Sequence, residues 1–261
     1  MANNFYATNL ARFRAESARQ LGCDESAFDS HTLTVVPRPA TSRYTNLGLV
    51  GTFGTGTVVA VEPSYLEWAR AHTPERHFLA LRPSEFLGPF LAEAERRGDR
   101  GIVSGTALGF VGAELPPEPS LPTGLHVRRI DRDWRSARLE SGVFDNSLGE
   151  FGEAFPEEYW RFGVALFGAD GEPMAVAGAY DDGQDLLEIG VDVHRDHRGK
   201  GLGAGVVSTL SRVIHAQGLT ATYFCAASNV RSHRTALACG FLPVRTHTGV
   251  RRIPAAASEP A

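Results

Sequence analysis

The stretch from Leu186 to Gly205 holds the residues most capable of chemistry. Arg198, Gly199, Lys200, Gly201, Leu202, Gly203 and Ala204 set two cations among three glycines. Just after them Val206, Val207, Leu210, Val213 and Ile214 recur at helical spacing. Just before them runs an apolar strand, Leu186 to Val193. A strand, a glycine-rich turn and a helix N-terminus make an anion site. The first N–H groups of a helix lack internal partners and the dipole places positive charge there. Glycine lets a phosphate approach those donors, so the residues alone read as a pyrophosphate cradle. Glu188 adds a carboxylate to an otherwise apolar strand. It lies either on a solvent face or in a pocket, where burial would suit it to act as a base near neutral pH.

Two phosphate-binding patterns are tested first. A P-loop requires Ser or Thr after Gly-Lys, and Lys200 is followed by Gly201. Gly199, Gly201 and Ala204 fit a loosened dinucleotide pattern, but the next strand ends in Ser228-Asn229 where a ribose-binding acid belongs. A nicotinamide enzyme is therefore disfavoured.

Val193-His194-Arg195-Asp196-His197-Arg198-Gly199-Lys200-Gly201-Leu202-Gly203 resembles the acetyl-CoA signature of the Gcn5-related N-acetyltransferases (GNAT), R/Q-x-x-G-x-G/A. A second element follows in order: Asn229 and Ser232, then Gly240-Phe241-Leu242-Pro243. The resemblance runs from about Leu125 to about Arg252. It implies an α/β fold: a mixed, mostly antiparallel sheet flanked by helices, with central strands splayed at Val193. It implies that backbone groups of Val191 and Val193 pair with the pantetheine arm, and that Arg198 to Ala204 hold the pyrophosphate. Asn229 reads as an ordinary helix N-cap, and the resemblance adds contact with the cofactor arm; Ser232 fills a position usually taken by a small residue. Relatives carry a base near Glu188. They line the acceptor site with the segment that here holds Asp145, Glu150, Glu153, Glu157 and Glu158. That acidic run is either a solvated face or an attraction for a cationic amine. The Tyr that many relatives place seven residues after the Asn is Ala236 here, with Tyr223 and Ser228 the nearest substitutes in sequence.

The expected activity is acetyl-CoA-dependent N-acetyl transfer to a primary amine of a small cationic molecule, by direct attack on the thioester, with no metal. The alternative is an acyl-CoA-binding regulatory or sensor module without turnover. The formal charge of −4 argues against nucleic-acid binding. Three scattered cysteines, Cys23, Cys225 and Cys239, show no metal spacing and suit reduced thiols in the cytoplasm. Neither a leader peptide nor a membrane span is expected.

Along the chain, Phe5 to Leu21 predicts a helix stopped at Gly22. Strands follow over 32–37 and 57–61, helices from Pro63 and Pro83, and 40–56 is a loop or a strand pair. Four prolines between Leu115 and Pro122 form a linker. The expected organisation is an N-terminal α+β accessory domain over 1–114, a linker over 115–123, the acetyltransferase domain over 124–254 and a tail over 255–261. The second part reads as a strand from Leu125, a helix capped by Asp133 with Trp134 in its core face, and a short helix from Pro156. Strands over 162–168 and 173–180 come next, then the Glu188 strand, a helix to His215, a strand at 222–227, the Asn229 helix and a strand over 244–252. Trp134 and Trp160 read as core residues; His194 and His197 read as surface ones.

Overall fold

A computed structural model describes residues 2–73, 83–119, 121–139, 142–149 and 157–253. In chain order the elements are α1 (Ala2–Leu21), β1 (Leu33–Pro37), β2 (Asn46–Phe53), β3 (Gly56–Val61), α2 (Leu66–His72), α3 (Pro83–Arg96), β4 (Gly101–Val103) and β5 (Ala107–Gly112). They continue with β6 (His126–Ile130), α4 (Arg132–Ser136), α5 (Asp145–Leu148), β7 (Trp160–Phe167), β8 (Pro173–Gly183) and β9 (Leu186–Val193). The last are α6 (Leu202–Ala216), β10 (Thr220–Ala226), α7 (Val230–Ala238) and β11 (Phe241–Arg252).

The chain divides into two compact units. The first takes Met1–Phe13, Gly109–Cys225 and Asn229–Pro243; the second takes Arg14–Leu108, Ala226–Ser228 and Val244–Ala261. The proline-rich segment runs between β5 and β6 and lies inside the first unit.

In the second unit, β1 runs parallel to β3, β3 antiparallel to β2, and β2 antiparallel to β11. The stretch over 40–56 thus holds β2, paired with β3 from Gly48↔Val61 to Phe53↔Gly56. Val59, Val61, Tyr65, Phe86, Phe90 and Val250 form its core, where the β-branched alternation of β3 meets the apolar stripe of α3.

In the first unit the strands run β5-β10-β9-β8-β7-β6. All neighbours from β6 to β9 are antiparallel, and β9 and β10 are parallel. Ile130, Phe144, Leu148, Trp160, Phe167, Val176 and Tyr180 form a core cluster. Trp160 is fully buried and Trp134 packs against the same cluster, as core residues. Helix α4 begins two residues earlier than the Asp133 cap predicts. Asp131 is the cap, accepting from Trp134 N–H at 2.9 Å, and Asp133 lies in the first turn.

Buried histidine gives the first unit a pH dependence. The ring of His215 lies edge-on to Phe5, and its Nδ1 is 3.0 Å from Leu219 O. Burial pushes its pKa down to about 4 from the ordinary 6.5. The unfolded chain therefore binds a proton first, and stability falls as pH drops from about 6.5 toward 4. Acid titration of the melting temperature should show this limb, and His215→Gln should make it shallower, leaving the part due to His247, which burial pushes down to about 3.

Candidate functional site

Strand β9 pairs with β10 only through Leu186↔Thr220, Leu187↔Ala221 and Glu188↔Thr222. It stays paired with β8 as far as Val193↔Ala175. Strand β10 neighbours β5 on its other side. Strand β9 follows β8 beyond its last pair with β10, so the sheet forks after Glu188, five positions before the expected splay at Val193. Backbone direction follows from two bonds. Thr220 N–H donates to Asp185 O at 2.8 Å, and His194 N–H donates to Met174 O at 2.9 Å. By alternation, the N–H and C=O groups of Ile189, Val191 and Val193 face away from β8, into the fork.

The turn after β9 is a short 3-10 segment, Arg195–His197, followed by the glycines. Gly199 and Gly201 have φ of +80° and +76°, the left-handed region that suits glycine. A Cβ on either would meet nothing within 4 Å, so the space before the helix is open. Gly201 caps α6, and the first bond onto the cap is Gly205 N–H to Gly201 O at 3.1 Å. The N–H groups of Leu202, Gly203 and Ala204 precede that bond, as orphan helix donors do. Arg198 and Lys200 are exposed. Arg198 Nε donates to Val193 O at 3.1 Å, tying the turn to the end of the strand with one of its five N–H donors. Leu202 is buried, and Gly203 lies against Val193, where a Cβ would sit 3.3 Å from its Cγ2. Backbone donors, a left-handed cap and two mobile cations suit a pyrophosphate.

Side chains on β9 alternate between two faces. Val193 lies against the start of α6, whereas Gly190 lies against α5, where a Cβ would come within 2.0 Å of Asn146 O. Glu188, Gly190 and Asp192 therefore share the α5 face. Glu188 is half-buried, between the two placements that the sequence leaves open. Opposite it in β8 stands Tyr180. Burial pushes the Tyr180 phenol up, Arg135 opposes this, and Glu188 and Asp192 raise it further. Tyr180 stays a neutral donor, to Asn146 O at 3.2 Å.

Asn229 caps α7, its Oδ1 accepting from Ser232 N–H at 3.2 Å. Ser232 Oγ lies 2.7 Å from Tyr223 Oη. Tyr223 is the first residue after the last β9–β10 pair, and burial pushes its phenol up to about 12. Ala236 is fully buried. Ser228 belongs to the second unit. Asp145 is exposed at the start of α5; Glu150 and Glu153 lie outside the described residues. Sequence reading passed over α5 and Asp192; the signal was Gly178 and Gly190, glycines inside apolar strands.

Residues 128–241 match the model of the Acetyltransferase (GNAT) family. The GNAT match thus covers the stretch from β6 to the start of β11. A Drosophila protein of known structure aligns over 97% of this chain and 91% of its own, at 16% identity and a TM-score of 0.51. A GCN5-related N-acetyltransferase-like protein from Streptococcus suis aligns over 62% of this chain, at 18% identity and a TM-score of 0.47. A GCN5-related N-acetyltransferase from Sphaerobacter thermophilus aligns over 65%, at 16% identity and 0.46. The chain spans 66% of the first of these two and 58% of the second. No curated protein matches the chain. The mixed, largely antiparallel sheet flanked by helices is the GNAT fold, as the signature implied. Among the described residues, no three His, Cys, Asp or Glu side chains gather to hold a metal ion, and no helix is long and apolar enough to cross a membrane.

A ligand held by the GNAT cradle should stabilise the folded chain by mass action. Acetyl-CoA at about 100 times its Kd should raise the melting temperature by about 5–10 °C. Gly201→Asp, which places bulk and negative charge at the cap, should remove the shift measured against that variant's own ligand-free melting point.

Proposed function

We propose that this chain is an acetyl-CoA-dependent N-acetyltransferase whose acceptor is a primary amine of a small cationic molecule. The observation that carries the reading is the fork. One strand ends in an anion cradle, turns toward the fork a backbone edge that β10 does not pair beyond Glu188, and bears a half-buried carboxylate where the fork opens.

Acetyl-CoA would supply the acyl group as a thioester. Leu202 to Ala204, with Arg198 and Lys200, would hold its pyrophosphate. Val191 and Val193 would offer backbone groups to the extended arm, as a strand offers them to a neighbour. Asn229 and Ser232, at the first turn of α7, would border the arm. Glu188 takes the proton from the incoming ammonium, directly or through one water. The freed amine attacks the thioester carbonyl, its C–N bond forms, the C–S bond breaks to release the thiolate, and the nitrogen gives up its second proton to that thiolate or to water as the neutral amide forms. A thiol is far more acidic than an amine, so the thiolate leaves without an obligatory acid, which fits the alanine at position 236.

Asp145, Glu188 and Asp192 give the α5 side of the fork three carboxylates, which supports a cationic acceptor. Glu150 and Glu153 belong to the same proposed attraction. The three cysteines are free thiols, in keeping with a cytoplasmic setting. The N-terminal region over 1–114, ahead of the proline-rich segment at 115–123, is proposed as an accessory domain.

Glu188→Gln should lower turnover about 10²–10⁴-fold at neutral pH, the usual range for a lost general base. Acetyl-CoA affinity should stay within about twofold, because the cradle begins ten positions later. The wild-type rate should rise with pH along a single limb. Binding of acetyl-CoA with no turnover across an amine panel would instead favour the sensor reading. The specificity constant for the amine should fall as salt rises, since exposed charges are screened beyond roughly 8 Å at physiological strength; a salt-independent constant would remove the cationic acceptor.

A further inference from the structure

Helix α5 has only four residues, Asp145–Leu148. So short a helix does not hold itself together in water. Its backbone is instead gripped by side chains from the surrounding elements. Tyr180 Oη donates to Asn146 O at 3.2 Å, Trp160 Nε1 to Ser147 O at 3.1 Å, and Arg135 Nε to Leu148 O at 2.6 Å. Phe144 and Leu148 anchor the segment in the core. Two glycines let its backbone touch the sheet: a Cβ on Gly178 would come within 1.9 Å of Ser147 O, and one on Gly190 within 2.0 Å of Asn146 O.

The three hydrogen bonds to carbonyls come from β7, β8 and α4. A separate grip comes from β9. Asp192 Oδ2 accepts from Ser147 N–H at 2.8 Å and from Ser147 Oγ at 3.0 Å, and Oδ1 accepts from Asn146 Nδ2 at 2.8 Å. The Ser147 hydroxyl also lies 3.1 Å from Phe144 O, so its one hydrogen serves one acceptor at a time. Asp192 is half-buried, beyond the point where β10 leaves β9. It shares a face with Glu188, four residues and about 13 Å away along the strand. Between them is Gly190, covered by the Asn146 carbonyl. Helix α5 is therefore a wall beside Glu188 on the α5 face.

We propose that Asp192 is a positioning residue for the acceptor: it fixes α5 against β9 and so sets the width of the space in which an amine meets Glu188. The proposal rests on the acetyl-transfer reading above. A carboxylate is suited to the task, because it accepts from the main-chain N–H, the hydroxyl and the amide together. Core packing and the three carbonyl contacts still hold α5 in the fold without Asp192. What is lost is the precise placement, and an error of about 1 Å in a reacting pair costs on the order of 10²-fold in rate.

The test uses the full-length protein, with wild-type turnover on an accepted amine measured first, so that failure of acetyl transfer itself is seen separately. Asp192→Asn places an amide against Ser147 N–H. It should lower kcat/KM for the amine about 10–100-fold, while KM for acetyl-CoA and the ligand-free melting temperature stay near wild type. Asn146→Ala, which removes one of the three contacts, should lower it about 3–10-fold, and the two losses should not add. Wild-type amine kinetics in Asp192→Asn would overturn the proposal, as would an equal loss of acetyl-CoA binding. Should Asp192→Asn fail to fold, Asn146→Ala decides: the same selective loss supports the proposal, and unchanged amine kinetics overturn it.

Discussion

The site depends on a short parallel contact. Strands β9 and β10 meet over three residue pairs and then part, while β9 stays paired with β8 as far as Val193. Backbone N–H and C=O groups must find partners or water. Parting therefore leaves a row of directed donors and acceptors along β9, and that row makes the fork a place for an extended ligand. The glycine turn ends the same strand, so donors in the fork and donors at the helix cap lie on one continuous length of chain. Longer pairing would close the fork; shorter pairing would leave the first unit without its connection between β9 and β10.

The parts that sequence made legible are those whose physics is local. Left-handed turns need glycine, and Gly199 and Gly201 are glycines; helix starts need a cap, and Asn229 caps. Apolar alternation placed β6, β7, β8 and β9 within a few residues. The rest depends on distant partners. Strand β5 is six residues with two glycines, and it reads as a strand only once β10 lies beside it. Helix α5 has no periodicity to read in four residues, and its bonds come from residues up to 46 positions away. Both Asp131 and Asp133 are plausible caps; the three-residue spacing to Trp134 N–H selects the first. The carboxylate at Asp192 was visible as a residue but not as an anchor, since its partners on α5 were unforeseen.

Burial sorts the protons around the fork. The Tyr180 phenol, on one face, and the Tyr223 phenol, on the other, are both pushed up by loss of solvent. Both remain neutral through the physiological range, Tyr180 donating to a carbonyl and Tyr223 sharing a hydrogen bond with a serine hydroxyl. Asp192 has its oxygens occupied by α5. Half-buried Glu188 lies on the same face as Asp192 and is the base of the proposed transfer.

The two-residue alternation of β9 also separates what can vary from what cannot. Odd positions turn backbone toward the fork and side chains toward α6; even positions turn side chains toward α5. Inserting or deleting one residue in this strand would exchange the two sets wholesale. Strand length is therefore frozen, whereas substitutions on α5 outside its buried anchors, such as at exposed Asp145, leave the parity untouched. Under the proposed transfer, a lineage carrying this chain could change its acceptor at such positions and leave the strand that would hold the donor as it is, much as a tool changes its bit while the chuck stays the same.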